Sequence, residues 1–306
     1  MRRSLKRQAG NEALIQIPIE IIKNVGAGVP LLRRLKEKYS QRRFDLLANI
    51  DYPFNVFEDL LERCNRNLNV KDKVVLEIGP GNSLAIGLLF LACGAKKVFL
   101  VDRFKHLFWD EHDIAFHKKV LKRIEEKGVP FKSLASEAIS FTRNGSIDFD
   151  NCKLEYRFTD AAKLPLDNCS IDIVFSNAVL EHVHNVKDTI GEISRVTKFN
   201  GISIHEIDLR DHFFQATPLR LVCYPDILWN LMTWYRPGYT NRLRLSDYLR
   251  LFKASGFLVK ELKTTREYLG DLSNLKIAKK FKGYSYEEMK ILAFWVLLQK
   301  ENRNAT

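Results

Sequence analysis

Two carboxylates and two glycines carry the clearest chemistry in this chain. Glu77 stands two residues before Gly79 in Val74-Val75-Leu76-Glu77-Ile78-Gly79-Pro80-Gly81-Asn82-Ser83, and Asp102 closes a second apolar run that begins at Lys97. A carboxylate beside these glycines would repel a pyrophosphate and attract a cation such as an ammonium or a sulfonium. The glycines let the backbone turn sharply and pass close to a ligand. Asp102 is placed to accept both hydroxyls of a ribose. The dinucleotide fingerprint needs a Gly or Ala three residues after the second glycine, where Leu84 stands, and no Gly-Lys-Ser/Thr completes a P-loop. An acid for a cation, glycines for close approach and an acid for a ribose fit S-adenosylmethionine better than NAD.

These residues need a rigid frame. Val74 to Ile78 is apolar apart from Glu77, as in a strand covered on both faces. Ser83 can cap a helix over Leu84 to Cys93, which Gly94 can end. A strand running through glycines into a helix N-terminus is the ligand site of doubly wound α/β folds.

With these residues in view, the chain resembles the class I S-adenosylmethionine-dependent methyltransferases. Glu77-Ile-Gly79-Pro-Gly81 with Asp102 is similar to the first two motifs of that family. Asp160-Ala161-Ala162, followed by Leu164-Pro165, is similar to the turn after its third strand, and Ser170 to Val183 to its fourth strand and following loop. The likeness spans about Lys71 to Asp208 and resumes from about Leu245 to Gln299; the third glycine usual in the family is Ser83 here. The resemblance implies a Rossmann-like α/β fold, a seven-stranded mixed sheet with helices on both faces, and S-adenosylmethionine as cofactor. It implies that Glu77, Gly79, Gly81, Asn82, Ser83, Asp102, Arg103, Asp160, Ala161, Ser176 and Asn177 hold that cofactor.

The candidates for catalysis lie further on. His182 and His184 follow the fourth predicted strand, Ile171 to Ser176. They are read either as a general base or as part of a Glu-His pair holding the loop. A fifth predicted strand, Ile202 to Asp208, delivers Asp208, Asp211 and His212 to its carboxyl end. That cluster has three readings: a base oriented by an aspartate, a divalent-cation site, or a hydrogen-bonded loop anchor. The expectation is a site without metal.

Two segments interrupt the pattern. Between Asp102 and a third predicted strand, Leu154 to Phe158, the insertion at about 103–153 reads as helix over Arg103 to Glu126, a break at Gly128-Val-Pro130, a short helix over Leu134 to Phe141 and a turn at Asn144-Gly145. His106, His112 and His117 within it are read as surface or packing residues. A helix over Val186 to Val196 is expected to end at Asn200-Gly201. The second insertion, about 212–244, is aromatic, with Arg236, Arg242 and Arg244 interleaved. It reads as a lid whose rings stack on sugars and whose arginines pair with phosphate or carboxylate, or else as an apolar subcore with a basic rim. A helix over Leu245 to Ser255 and two closing strands, Phe257 to Thr265 and Ile291 to Gln299, complete the pattern.

The 306 residues are organised as an N-terminal helical cap over 1–70 and a methyltransferase-like domain over 71–306. Apolar content of 46% and charged content of 28% are those of a folded globular chain, and the formal charge of +12 gives a basic surface. Five cysteines without metal-type spacing or a disulfide framework point to a reducing compartment, and no signal peptide is visible, so a cytoplasmic location is expected. Near the N-terminus, the basic tail Met1 to Arg7, the apolar stretch Ala13 to Ile22 and the basic, leucine-bearing stretch Leu31 to Lys38 suggest either a packed helical cap or peripheral contact with an anionic membrane. The expected activity is methyl transfer to an oxygen of a small-molecule or glycan acceptor, with an anionic acceptor favoured by the basic lid. The competing classes are an RNA or other nucleic-acid methyltransferase, against which the dispersed positive charge argues, and a membrane-associated S-adenosylmethionine-binding protein without turnover.

Overall fold

The computed structural model describes residues 17–142, 147–214, 216–236, 238–273 and 275–302. The tail Met1 to Arg7 and the turn expected at Asn144-Gly145 lie outside these residues. The chain opens with helices α1 (17–27), α2 (Pro30–Lys38), α3 (Gln41–Ala48) and α4 (Asp51–Arg63). Then come β1 (Val74–Ile78), α5 (Ala85–Ala92), β2 (Lys97–Asp102), α6 (Glu111–Glu126), α7 (Lys132–Ala138), β3 (Ile139–Phe141), β4 (Ile147–Phe149), β5 (Leu154–Phe158) and β6 (Ile171–Asn177). The remainder is α8 (Val186–Val196), β7 (Thr197–Asp208), α9 (Asp226–Thr233), α10 (Leu245–Ala254), β8 (Phe257–Glu267), α11 (Tyr286–Lys290) and β9 (Ile291–Lys300).

Seven strands form one mixed sheet in the order β5-β2-β1-β6-β7-β9-β8. The first five run parallel, while β9 pairs antiparallel with both β7 and β8. This is the Rossmann-like architecture expected. Strand alternation divides the core: Val75, Phe175 and Ile204 face a layer built from α4, α5 and α6, and Leu76, Val174 and Ile207 face α8 and α10. Phe54, Phe57 and Leu60 of α4 sit in the first of these layers.

Several local expectations are corrected. The segment after Asp102 is irregular up to Asp110, which caps α6 by accepting the Asp113 N–H. Residues 139–141 leave the predicted helix and pair antiparallel with β4. Asn200-Gly201 does not end a helix but lies inside β7, where the register against β6 shifts. Ser83 does not take the N-cap of α5, which is Leu84, although its hydroxyl accepts the Ala85 N–H at 2.9 Å. Of the histidines read as surface or packing residues, His117 is a packing one, fully buried.

The second insertion forms its own core, in which Tyr224, Trp229, Met232 and Tyr239 pack with Phe281 and Leu292. Its arginines are engaged inside the protein. Arg242 donates to the carbonyls of Leu221 and Tyr224 and pairs with Asp226. Arg236 pairs with Glu20 of α1. Arg244 is fully buried and reaches the carbonyls of Leu209, Glu288, Met289 and Ile291. The subcore alternative describes this segment, and the phosphate-pairing role expected of its arginines is withdrawn. Replacing Arg244 with Leu strands these carbonyls without a donor. Urea unfolding should show a loss of about 3 kcal/mol or more; an unchanged midpoint would show that the guanidinium contributes nothing to the lid.

Candidate active site

The order of the sheet reverses between β1 and β6, and the crevice at the carboxyl ends of these strands holds the predicted site. After β1 the chain turns through Gly79 (φ +73°) and Gly81 (φ +64°), conformations that a side chain would strain. A Cβ on Gly79 would lie 2.4 Å from Val179, whereas one on Gly81 would meet nothing within 4 Å. The turn is therefore wedged on one side and open on the other. Its Leu84 N–H donates to His117 Nε2 at 3.0 Å, and His117 Nδ1 meets the Asp113 carbonyl at 2.6 Å, so the neutral imidazole bridges turn and helix α6.

Glu77 is 3% exposed, and its Oε2 has no partner. Burial, reinforced by the neighbouring Asp102 charge, pushes its carboxyl up to about 8, against a partial pull from the Gly87 N–H. An orphaned buried carboxylate is what a cationic ligand would satisfy. Asp102 ends β2 with its oxygens accepting the N–H groups of Gly81 (3.1 Å) and Phe104 (2.8 Å), which leaves lone pairs for hydroxyls. Asp160 accepts the Ala162 N–H at 2.9 Å in the turn after β5, and Ala161 packs into the core beneath it. Arg103 lies 3.6 Å from Asp160 and contacts His184 Nδ1 at 3.2 Å. Asn82 and Ser83 occupy the turn itself. Among the residues expected to hold the cofactor, Ser176 needs correction. Its hydroxyl is buried on the opposite face of the sheet, 2.7 Å from His205 Nδ1, whose Nε2 meets Ser203 at 2.7 Å. Asn177, one residue on, faces the crevice and donates to Tyr52 Oη at 3.3 Å.

The loop after β6 is stitched to the aromatic insertion. His182 Nδ1 meets the Tyr239 carbonyl at 2.6 Å, and His184 Nε2 meets that of Trp234 at 2.9 Å. Asn241 donates to the carbonyls of Leu180 and Val183. The His184 ring also stacks on Tyr239 at 4.1 Å. His184 thus has both nitrogens engaged and acts as a loop tie. His182 keeps Nε2 toward Glu181 at 3.9 Å; burial, helped by nearby His212, lowers its imidazole to about 4, so it stays neutral.

At the end of β7, burial pushes Asp208 toward the neutral form, but Arg210, bonded to both carboxylate oxygens, and His212 hold it well below the usual range. His212 Nε2 is 3.5 Å from Asp208 Oδ2. Glu181 is 1% exposed, accepts the Asp208 N–H at 3.3 Å and leaves Oε2 without a partner; burial raises its carboxyl well above normal. Asp211 is set apart from this cluster. Its Oδ1 accepts the N–H groups of Phe213 (2.8 Å) and Phe214 (3.0 Å), and burial lifts it to about 6. The anchor reading describes it, and its candidacy as a base is withdrawn. Among the described residues, Glu181, His182 and His212 could offer ligand atoms all within 4.8 Å of one another, a set that shares only His212 with the cation site expected from Asp208, Asp211 and His212.

The sequence reading missed the contribution of the N-terminal helices. Tyr52 of α4 meets Asn177, and Arg42 of α3 lies near enough to both Tyr52 and His182 to influence their protonation. Glu37 of α2 feels the charges of His106 and Asp102, and Arg33 lies 4.9 Å over the Phe104 ring. No local motif marks these residues, because only tertiary folding brings them to the crevice.

Residues 76–205 match a family model described as a methyltransferase domain. The matched stretch runs from β1 into β7 and takes in the glycine turn, an arrangement consistent with a class I S-adenosylmethionine-dependent methyltransferase. Among solved structures, a S-adenosylmethionine-dependent methyltransferase from Mesorhizobium loti is similar at 13% identity, covering 83% of this chain and 100% of its own, with TM-score 0.45. The YcgJ protein from Bacillus subtilis is similar at 14% identity, covering 81% of this chain and 99% of its own, with TM-score 0.42. No curated protein matches the chain.

The site residues fit the cofactor, and two measurements test the fit. Asp102→Ala should weaken binding of S-adenosylhomocysteine by about 1–3 kcal/mol, roughly 5- to 150-fold, because the ribose hydroxyls lose their acceptor; unchanged affinity by calorimetry would remove Asp102 from the ribose site. Glu77 is mostly protonated below its pKa of about 8 and must ionise to face a cation. Cofactor binding should therefore release a proton and tighten as pH rises from about 6 to 8. Titrations in buffers of different ionisation heat would read that proton, and Glu77→Gln should abolish it.

Proposed function

We propose that the domain methylates an oxygen of a small-molecule or sugar-bearing acceptor, with His212 as general base and Asp208 as the residue that orients it. The single observation behind this reading is the 3.5 Å approach of His212 Nε2 to an Asp208 carboxylate kept ionised by Arg210. A proton on Nε2, directed at Asp208, leaves the Nδ1 lone pair to accept a hydroxyl proton. His182 is the poorer base, since its lowered pKa disfavours taking a proton.

When bound, the cofactor supplies an electrophilic methyl group on a positively charged sulfur. Glu77 would face that charge, Asp102 would hold the ribose, and the Gly79–Gly81 turn would permit close approach. His212 would take the proton of the acceptor hydroxyl, whose oxygen would gain the methyl group as that group's bond to sulfur breaks and S-adenosylhomocysteine leaves. Asn177 and Tyr52, in contact at 3.3 Å, border the crevice together. Most of the rate enhancement then comes from alignment, because the donor already carries the reactive group. Arg42 of α3 gives the crevice a nearby cation, which supports an acidic acceptor now that the lid arginines are engaged elsewhere.

His212→Ala should lower turnover by about 10²- to 10⁴-fold while leaving S-adenosylhomocysteine affinity within about twofold. Single-turnover methyl transfer from labelled cofactor, followed by mass analysis of an extract for a gain of one CH₂, would check the activity and identify the acceptor. Full turnover by the variant would return His212 to the anchor reading.

A further inference from the structure

Helix α2 is amphipathic in the wrong sense for a protein surface. Its polar side is turned inward: Arg33 lies 4.9 Å over Phe104 and 3.9 Å from Glu37, whose carboxyl is half-buried and raised by that burial. Its apolar side is turned outward. Leu31, Leu32, Leu35 and Tyr39 fall within about 100° of one another on the helical wheel, and they are 67%, 54%, 48% and 66% exposed. No residue of α2 is buried. An ordinary surface helix shows the reverse arrangement, with its apolar stripe against the core.

The surroundings continue the pattern. Arg34 and Lys38 flank the apolar stripe on one side and Lys36 on the other. Ile22 and Val25 of α1 also face outward, while the opposite side of α1 is tied to α9 by Asn24, which donates to the Leu231 carbonyl and accepts the Tyr235 N–H. At that junction α9 and the turn after it expose Leu231, Trp234 and Tyr235. Apolar side chains ringed by lysine and arginine, with a tryptophan and a tyrosine beside them, match the chemistry of a lipid headgroup boundary. No helix among the described residues is long and apolar enough to cross a membrane.

We propose that α2, with the adjoining faces of α1 and α9, seats the enzyme on an anionic phospholipid surface. The leucines enter the acyl boundary, the basic residues meet lipid phosphates, and the crevice beneath Arg33 and Phe104 lies next to the lipid. The proposal stands on this surface and is independent of the acceptor assigned above.

Co-sedimentation of the full chain with vesicles tests it. The protein should pellet with vesicles of phosphatidylcholine containing about 30% phosphatidylglycerol, and far less with phosphatidylcholine alone. The double variant Leu31→Asp/Leu35→Asp and the double variant Arg34→Glu/Lys36→Glu should each lower partitioning by about tenfold or more. Lys260→Glu/Lys263→Glu, on the exposed strand β8, should change it by less than about twofold. All variants replace exposed residues, and calorimetric binding of S-adenosylhomocysteine confirms that each is folded and separates this test from that of the active site. Absence of binding to anionic vesicles, or binding indifferent to the leucine substitutions, overturns the proposal. So does light scattering that shows a dimer dispersed by Leu31→Asp/Leu35→Asp, which would assign the face to a second copy of the chain.

Discussion

A parallel sheet covered on both faces pushes its charged residues to the ends of its strands. That constraint organises this protein. β1, β2 and β6 are largely apolar, and Glu77, Asp102, Asn177 and Asp208 stand at or next to the carboxyl ends of β1, β2, β6 and β7. Each polar end is half-dry, so its charge state depends on what stands beside it. Glu77 and Glu181 are pushed toward the neutral acid, while Asp208, clasped by Arg210, remains an anion. One crevice therefore holds carboxyl groups of opposite character within a few residues of the same sheet edge. This is the condition under which one acid can await a cation while another steadies an imidazole.

The second organising feature is the loop after β6. It offers two histidines and an asparagine-binding backbone to the aromatic insertion, and the insertion answers with the carbonyls of Trp234 and Tyr239. The lid is thus fixed at its base by uncharged hydrogen bonds, and its own arginines hold its interior together. Beyond Arg103 and Arg210, which already pair with carboxylates at the strand ends, further cations approach the crevice from α2 and α3. Substrate charge would be recognised by the N-terminal helices and substrate shape by the insertion.

The sheet was readable from local signals. β1, β2 and β6 show an apolar run with a turn or polar residue at or near its end, and Glu77, Gly79, Gly81 and Asp102 announce the donor site by type and spacing alone. Errors arose where local pattern is silent. Ser176 and Asn177 are adjacent, but strand alternation sends one to His205 in the core and the other to the crevice, and the motif alone does not say which. Asp211 and Asp208 look equivalent in sequence, yet one accepts two backbone N–H groups of its own turn and the other faces His212. Arg242 and Arg244 carry no mark of burial until the carbonyls around them are placed. Residues 139–141 read as helix because their partner, β4, starts only at Ile147, a pairing that periodicity does not detect. Tyr52 and Arg42 became visible only once α3 and α4 were folded against the sheet.

The bridge from Leu84 to His117 has one further outcome. The ligand turn is fastened by an imidazole lone pair, and protonation would convert that acceptor into a second donor facing an N–H. Burial already depresses the His117 pKa, so the folded chain resists the proton while the unfolded chain does not. The stabilisation from this fastening is complete above the ordinary histidine range, near 6.5, and drains away as the medium acidifies through and below it. Acid would therefore loosen the glycine turn, and with it the grip on the methyl donor.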